Sequence, residues 1–195
     1  MNTETYDALA TLLAYPDDRT KVVLERCQSD CASIKGTAES LTHFVEKTAP
    51  WSTEDLQELY TQTFDLNPTC TLEIGWQLFG ENYSRGEFLV AMRQTLRRLG
   101  VMETTELPDH VTLALSALGR MEPAEASRFS AEFLLPALGK MVQALSGKEN
   151  PYAGVLEAIQ AAIRFAHPLA VSDEVRRVSS LSLPLVDPTP EVCHG

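Results

Sequence analysis

The chain has 195 residues, a mass of 21.5 kDa, a formal net charge of −11 at pH 7 and a sequence pI of about 4.8. This length suffices for one sizeable hydrophobic core, and the hydrophobic content of 44% is that of an ordinary globular protein. The acidic charge argues against nucleic acid or an anionic membrane surface as a partner and favours a basic peptide or a basic protein surface.

Neither export nor metal binding is indicated by the sequence. The N-terminus lacks the basic and apolar regions of a secretory signal, and no run of about 20 apolar residues is present, so we expect a cytoplasmic protein without membrane insertion. The four cysteines include no CxxC pair, which is typical of a reducing compartment. Cys27 and Cys31 would share a helix face, but no second ligand pair accompanies them, and no metal site is predicted.

Apolar residues recur at the helical period through most of the chain. Three helices are predicted before the break at Ala49-Pro50: one ending at Tyr15-Pro16, one from Arg19 to about Cys27, and one carrying Leu41, Phe44 and Val45. A fourth helix begins at a capping box formed by Ser52 and Asp55. It should end near Asn67, because Pro68 disfavours helical geometry in the residue before it.

The middle of the chain contains three further predicted helices. A short helix from Thr71 to Phe79 ends at Gly80, a candidate left-handed C-cap. Ser84-Arg85-Gly86-Glu87 is a second candidate capping box, and the helix behind it ends at Gly100. Pro108 suits the first turn of the next helix, where a missing N–H has no consequence.

Two prolines mark the last part of the helical pattern. Pro123 opens a long helix, which Pro136 should kink or split. Asn150-Pro151 opens the final helix, which ends at His167-Pro168. The sequence therefore predicts an all-α, single-domain bundle of about eight or nine helices over residues 1–168, followed by an extended, loosely held tail over residues 169–195.

Asp109 and His110 form the pair from which a catalytic mechanism could be built, because a carboxylate can orient an imidazole as a general base. Adjacent residues on a helix point about 100° apart, however, and no serine or cysteine in a strained turn accompanies them. Three roles stay open for the pair: catalysis, stabilisation of a helix N-terminus by Asp109, and ligand binding.

Asp65 is predicted near the end of its helix, where the helix dipole disfavours an acid. Two explanations stay open: an ion pair with Arg85 or Arg93, or contact with a ligand. The nearby aromatic residues Tyr60 and Phe64 are core residues by default, although a subset of the aromatics could line a groove for the apolar side chains of a peptide.

Several short motifs occur in a defined order: Leu12-Leu13-Ala14-Tyr15-Pro16, Tyr60 before Phe64-Asp65-Leu66, Leu72, Gly80-Glu81, Arg85-Gly86, Leu99-Gly100 and Glu106-Leu107-Pro108-Asp109-His110. In this order they resemble the TorD/NarJ family of molybdoenzyme maturation chaperones, in particular its nitrate reductase delta-subunit branch. The family's Glu-Pro-x-Asp-His motif corresponds to Glu106, Asp109 and His110, with Leu107 in place of its usual proline. The similarity covers Tyr6 to about Leu118 and continues by pattern in the later helices.

The resemblance implies an all-helical cytoplasmic chaperone that is not an enzyme and needs no cofactor. Such proteins bind the N-terminal segment of the catalytic subunit of a molybdenum-cofactor oxidoreductase, often a twin-arginine leader or its vestige, and hold the apoenzyme competent for cofactor insertion. A leader that is basic at one end and apolar beyond it requires carboxylates beside a hydrophobic groove. We therefore expect basic residues to face Asp65, Glu106 and Asp109, the groove to be shaped by Tyr60, Phe64 and His110, the loop to be stiffened by Pro108, and structural roles for Gly80, Arg85 and Gly86.

Two other classes of function stay open at this stage. The chain could be a general helical adaptor for a folded protein, or a binder of small ligands or nucleotides through Asp109 and His110. The resemblance is compatible with a monomer or with a dimer that exchanges helices.

Overall fold

The computed structural model describes residues 1–34 and 36–168. Within these ranges the chain is helical apart from its loops and one isolated antiparallel β-bridge between Glu73 and His110. The predicted all-α fold is confirmed, whereas the predicted tail over residues 169–195 lies outside the described ranges. None of the described helices is both long and apolar enough to cross a membrane.

Ten α-helical segments and two π-helical turns make up the described part of the chain. The α-helices are α1 (Thr3–Thr11), α2 (Thr20–Asp30), α3 (Thr37–Thr48), α4 (Thr53–Tyr60), α5 (Ile74–Phe79), α6 (Tyr83–Arg98), α7 (Val111–Leu118), α8 (Pro123–Phe129), α9 (Leu135–Leu145) and α10 (Tyr152–Ala166). The π-helical turns are Thr61–Asp65, which continues α4, and Ser130–Leu134, which joins α8 to α9. Counting continuous helices gives nine within the described ranges, in agreement with the prediction.

One of the two predicted capping boxes forms. The backbone N–H of Asp55 donates to Ser52 Oγ at 3.1 Å, and that of Ser52 donates to Asp55 Oδ2 at 2.8 Å. The second prediction is wrong, because α6 begins earlier: Asn82 is its N-cap, and Asn82 Oδ1 accepts from the backbone N–H of Ser84 at 3.0 Å. Asparagine is a strong N-cap residue, and its position two residues upstream places Gly86 inside the helix.

Pro108 does not open a helix, contrary to the prediction. The backbone carbonyl of Asp109 accepts from the N–H of Ile74 at 2.9 Å, and the N–H of Val111 donates to the carbonyl of Leu72 at 2.9 Å. Pro108 and Asp109 instead lie in a turn closed by a 2.9 Å hydrogen bond from the N–H of His110 to the carbonyl of Leu107, and only His110 is extended. Helix α7 therefore starts only at Val111, with His110 as its N-cap.

The predicted interruption at Pro136 takes the form of a π-helical turn. The N–H of Leu135 donates to the carbonyl of Ser130, five residues back, and Pro136 lies in the first turn of α9. Proline has no N–H to continue the α-helical pattern, and the wider turn accommodates it without ending the helix.

The core is formed mainly by three helix pairings: α1 with α7, α10 with α3, and α10 with α9. Helices α3 and α10 approach so closely at Gly154 that a Cβ atom there would lie 2.7 Å from the backbone oxygen of Ser40. Gly80 ends α5 as predicted and has a positive φ of 58°, but its ψ of −132° is not that of the predicted left-handed C-cap. These packings bring the segment after α1, the end of the α4 segment and the starts of α5 and α7 around one cavity.

Candidate functional site

The β-bridge between Glu73 and His110 brings together two motifs that are distant in sequence. It places the loop that carries Glu106 beside the end of the α4 segment. A cavity of about 390 Å³ lies between them; we call it the acidic cavity, and it is lined by Tyr15, Tyr60, Phe64, Asp65, Thr71, Leu72, Glu73, Glu106 and His110. Five of the predicted site residues are therefore assembled here: Tyr60, Phe64, Asp65, Glu106 and His110.

Aromatic rings form the floor of the acidic cavity. Tyr60 and Phe64 are buried and meet edge to face, with ring centroids 5.0 Å apart. Phe64 packs in the same way on Tyr152 at 4.9 Å, and the Tyr60 hydroxyl donates to the backbone carbonyl of Leu13 at 3.2 Å. Tyr15, which is 55% exposed, lies edge-on to Tyr60 at 5.5 Å and forms part of the cavity mouth. A rigid apolar floor thus underlies a solvent-accessible rim.

A π-helical turn positions Asp65 at the rim of the cavity. The N–H of Leu66 donates to the carbonyl of Thr61, five residues back, at 2.9 Å. Within this turn Thr63 is buried, and its Oγ1 accepts from Asn150 Nδ2 at 2.7 Å, which ties the turn to the loop before α10. Such turns are frequent at functional sites, since the extra residue redirects the side chains that follow. Here Phe64 is buried and Asp65 is exposed.

Three carboxylates line the acidic cavity, those of Asp65, Glu73 and Glu106, and its lining includes no lysine or arginine. None of the three acids forms a salt bridge within the described part of the chain. Burial raises the pKa of the Tyr60 phenol, and the carboxylates of Asp65, Glu106 and Glu73 raise it further. The cavity therefore has a strongly negative potential.

The predicted ion pair of Asp65 with Arg85 or Arg93 is not formed. Arg93 Nε lies 3.2 Å from Glu103 Oε2, and the guanidinium of Arg85 lies over the ring of Trp76 at 5.3 Å. Both arginines are engaged elsewhere, so the interpretation of Asp65 as a structural ion-pair partner is wrong for these two residues.

His110 borders the acidic cavity with its imidazole held in place. The ring Nδ1 accepts from the backbone N–H of Thr112 at 3.3 Å and lies 2.7 Å from Thr112 Oγ1. An Nδ1 that accepts leaves the ring proton on Nε2. Burial lowers the pKa of His110, while the carboxylates of Glu106, Glu73 and Asp65 act in the opposite direction. His110 is thus a helix cap whose ring contributes to the cavity wall.

Asp109 does not line the acidic cavity, contrary to the expectation that it faces a bound peptide. Its side chain is fully buried, and Oδ2 accepts from the backbone N–H of Gly75 at 2.8 Å. Its backbone carbonyl accepts from the N–H of Ile74. Asp109 therefore satisfies the first two N–H groups of α5, a helix far from it in sequence. Burial raises the pKa of its carboxyl, although the Gly75 N–H and Arg85 oppose this effect.

Pro108 is also buried and outside the cavity lining, whereas Tyr15, Thr71, Leu72 and Glu73 line it without having been predicted as site residues. Tyr15 and Leu72 could have been predicted as site residues, because both belong to the motifs on which the family resemblance rests. Glu73 had no such signal, because only its pairing with His110 brings it to the cavity.

The sequence model of the family described as "Nitrate reductase delta subunit" matches residues 27–158. The chain belongs to this family. The resemblance inferred from the short motifs is thereby confirmed, and the match extends beyond them into the last helix.

Among the curated relatives is the protein named "Probable nitrate reductase molybdenum cofactor assembly chaperone NarJ" from Bacillus subtilis (strain 168). It is 31% identical over 162 residues, which cover 82% of this chain and 88% of the relative. The "Nitrate reductase molybdenum cofactor assembly chaperone NarJ" of Escherichia coli (strain K12) is 24% identical over 172 residues, covering 86% of this chain and 71% of the relative. Both relatives are named as assembly chaperones, in agreement with the expectation that the chain is not an enzyme.

The fold has a counterpart among solved structures. A proposed redox enzyme maturation protein from Archaeoglobus fulgidus superposes with a TM-score of 0.57 over 83% of this chain and 93% of that protein, at 19% sequence identity. At this identity the likeness concerns the fold alone, and it agrees with the all-α architecture.

Proposed function

We propose that the protein is a cytoplasmic chaperone for a nitrate-reductase-like molybdenum-cofactor oxidoreductase. It binds the N-terminal segment of the catalytic subunit and holds the apoenzyme competent for cofactor insertion before assembly or export. The observation that carries this proposal is the acidic cavity, in which the carboxylates of Asp65, Glu73 and Glu106 lie around an aromatic floor and form no salt bridge with any other described residue.

The charge of the acidic cavity supports a basic occupant. A lysine or arginine side chain placed there would form charge-assisted hydrogen bonds, which are stronger than neutral ones. Among residues 1–34 and 36–168, no lysine or arginine forms a salt bridge with these carboxylates. The chain's net charge of −11 adds long-range attraction for the same partner.

The rim of the cavity supports an apolar continuation of the same peptide. Leu66, which follows Asp65, is 73% exposed, and Leu107, which follows Glu106, is 44% exposed. Both leucines are outside the cavity lining, but each is the next residue in the chain after one of its carboxylates, and Tyr15 belongs to the lining. A segment that is basic at one point and apolar beyond it matches this arrangement better than a uniformly charged one.

The names of the relatives support the class of client. Those named NarJ are described as assembly chaperones for the molybdenum cofactor of nitrate reductase. We infer the same class of client for this chain, reached through the catalytic subunit because that subunit carries the cofactor.

Calorimetry with a synthetic peptide tests this proposal. The probe is the N-terminal peptide of the nitrate reductase catalytic subunit from the same host, for which we expect a Kd of about 1 µM or tighter. The double variant Asp65→Asn/Glu106→Gln should weaken binding about 10- to 100-fold, through loss of two charge-assisted contacts.

A matched control is Glu46→Gln/Glu87→Gln, which changes the net charge equally at two exposed acids outside the acidic cavity. If both double variants bound the peptide equally weakly, the loss of affinity would be due to overall charge, which would contradict a specific site. A protein that binds the cofactor-loaded catalytic subunit as well as the apo-subunit would be a general adaptor rather than a maturation chaperone.

A further inference from the structure

The sequence after helix α10 contains a short segment whose charge and hydrophobicity resemble those of the proposed client peptide. Arg176 and Arg177 are the only lysine or arginine residues after Arg164. They are followed by the apolar residues Val178, Leu181, Leu183, Leu185 and Val186. A basic pair followed by apolar residues is the pattern that the acidic cavity and its rim are proposed to bind. The chain therefore contains a segment with the chemistry of its own client.

Charge complementarity favours this segment as an occupant of the acidic cavity. Two guanidinium groups would meet the carboxylates of Asp65, Glu73 and Glu106, which have no cation in the cavity lining. Guanidinium groups bind carboxylates through parallel hydrogen bonds and lose less hydration on burial than an ammonium group does. The apolar residues beyond the pair would lie against the exposed rim at Tyr15 and Leu66.

Helix α10 sets the distance that the chain must cover. Tyr152, at its start, packs against Phe64 in the cavity floor, and His167, just past its end, contacts Tyr6, with Nε2 2.6 Å from the phenol oxygen. A helix rises about 1.5 Å per residue, so the 15-residue α10 is about 22 Å long, and Pro168 lies just past its far end. Arg176 is eight positions after Pro168, and an extended chain spans up to about 26–29 Å over eight steps. Arg176 is therefore the first basic residue past α10 and is within reach.

We propose that the segment Arg176–Val186 binds the acidic cavity of its own chain and competes with the client peptide. This inference rests on the proposed function and adds regulation to the same site. A tethered segment acts at an effective concentration of about 1 mM, so it occupies the cavity even with a weak intrinsic affinity of about 100 µM. Only a leader that binds more tightly then displaces it, which raises selectivity for the true client.

The test compares three full-length proteins: the wild type, Arg176→Gln/Arg177→Gln, and the matched control Arg128→Gln/Arg164→Gln, which changes the net charge equally at two exposed positions outside the cavity. The probe is a fluorescein-labelled peptide with the sequence of residues 175–186. Fluorescence anisotropy should show binding about 10-fold tighter to Arg176→Gln/Arg177→Gln than to the other two proteins, because the internal competitor has been removed.

Equal affinity of the labelled peptide for all three proteins would overturn the inference. Binding of the nitrate reductase N-terminal peptide in the same experiment would then leave the proposed function standing, whereas failure of both peptides with every protein would overturn both. Light scattering adds a further outcome: a wild-type dimer that becomes a monomer in Arg176→Gln/Arg177→Gln would mean that the segment binds a second copy, which contradicts occupancy within one chain.

Discussion

The two sides of the Glu73–His110 bridge use carboxylates in opposite ways. On one side Glu106 and Asp65 are exposed to solvent around the acidic cavity, and on the other Asp109 is fully buried against Gly75. Glu106 and Asp109 are only three residues apart in one motif. The comparison teaches that an acid in a recognisable motif acquires its role from its surroundings: a solvated carboxylate is available to a partner, and a buried one serves the fold.

Replacing Gly75 should disrupt the buried side most strongly. A Cβ atom at this position would lie 2.6 Å from Asp109 Oδ2 and 3.1 Å from Phe88 Cδ1. We expect Gly75→Ala to lower the free energy of unfolding by about 3 kcal/mol, through overpacking and loss of the cap. Urea denaturation measures the effect.

The control for this variant is Gly86→Ala, at an exposed helical position where an added Cβ meets nothing within 4 Å. It should raise the free energy of unfolding by about 0.5–1 kcal/mol, because alanine is the better helix former. Similar losses in both variants would show that the contact with Asp109 is not what makes Gly75 necessary.

Removing the Asp109 carboxylate should lower the stability of the protein without changing its affinity for the client peptide. Asp109→Ala leaves the N–H of Gly75 buried without an acceptor, so we expect a loss of about 1–2 kcal/mol in the free energy of unfolding. The affinity of the folded variant for the client peptide should be unchanged, since the side chain is outside the cavity lining. A loss of affinity without a loss of stability would indicate that Asp109 contacts the client peptide after all.

Shortening Tyr15 should weaken client binding and leave the free energy of unfolding almost unchanged. Its ring is 55% exposed at the cavity mouth, so Tyr15→Ala should change the free energy of unfolding by less than about 0.5 kcal/mol. It should weaken client binding about 5-fold, through lost aromatic contact with the peptide. Tyr83→Ala, which removes an equally large ring that is 83% exposed elsewhere, is the control for calorimetry. Equal effects of the two variants would remove Tyr15 from the site.

The pH dependence of stability gives a finer test of the buried side. Burial raises the pKa of Asp109, so the folded protein holds this proton more tightly than the unfolded chain does. Its contribution to stability therefore falls as the pH rises from about 3.9, the ordinary pKa, through the raised value. Asp109→Asn lacks this titration, so its stability relative to the wild type should increase across that range. Denaturation at pH 4, 5, 6 and 7 measures the difference; a constant difference would contradict the raised pKa.

Much of the fold was predictable because its signals are local. The capping box at Ser52 and the end of α5 at Gly80 depend on contacts between residues close in sequence, and both are confirmed. The predicted starts at Ser84 and Pro108 were wrong because other contacts competed. Asn82 capped α6 first, and a turn over Leu107–His110 together with the hydrogen bond from Val111 to Leu72 moved the start of α7 to Val111. The aromatic and acidic cavity residues were predictable only through the family motifs.

Taken by itself, the sequence determined the helical class, most helix positions and the family, because helical periodicity and capping involve residues within about four positions of one another. Tertiary structure alone decided which acids belong to the cavity. Because Glu73 pairs with His110, Glu73 lies in the cavity lining. On the same loop the Asp109 side chain is buried in the protein interior and the Glu106 side chain is exposed to solvent. That pairing joins residues 73 and 110, so no local pattern encodes it, and only the packed chain gives each carboxylate its place.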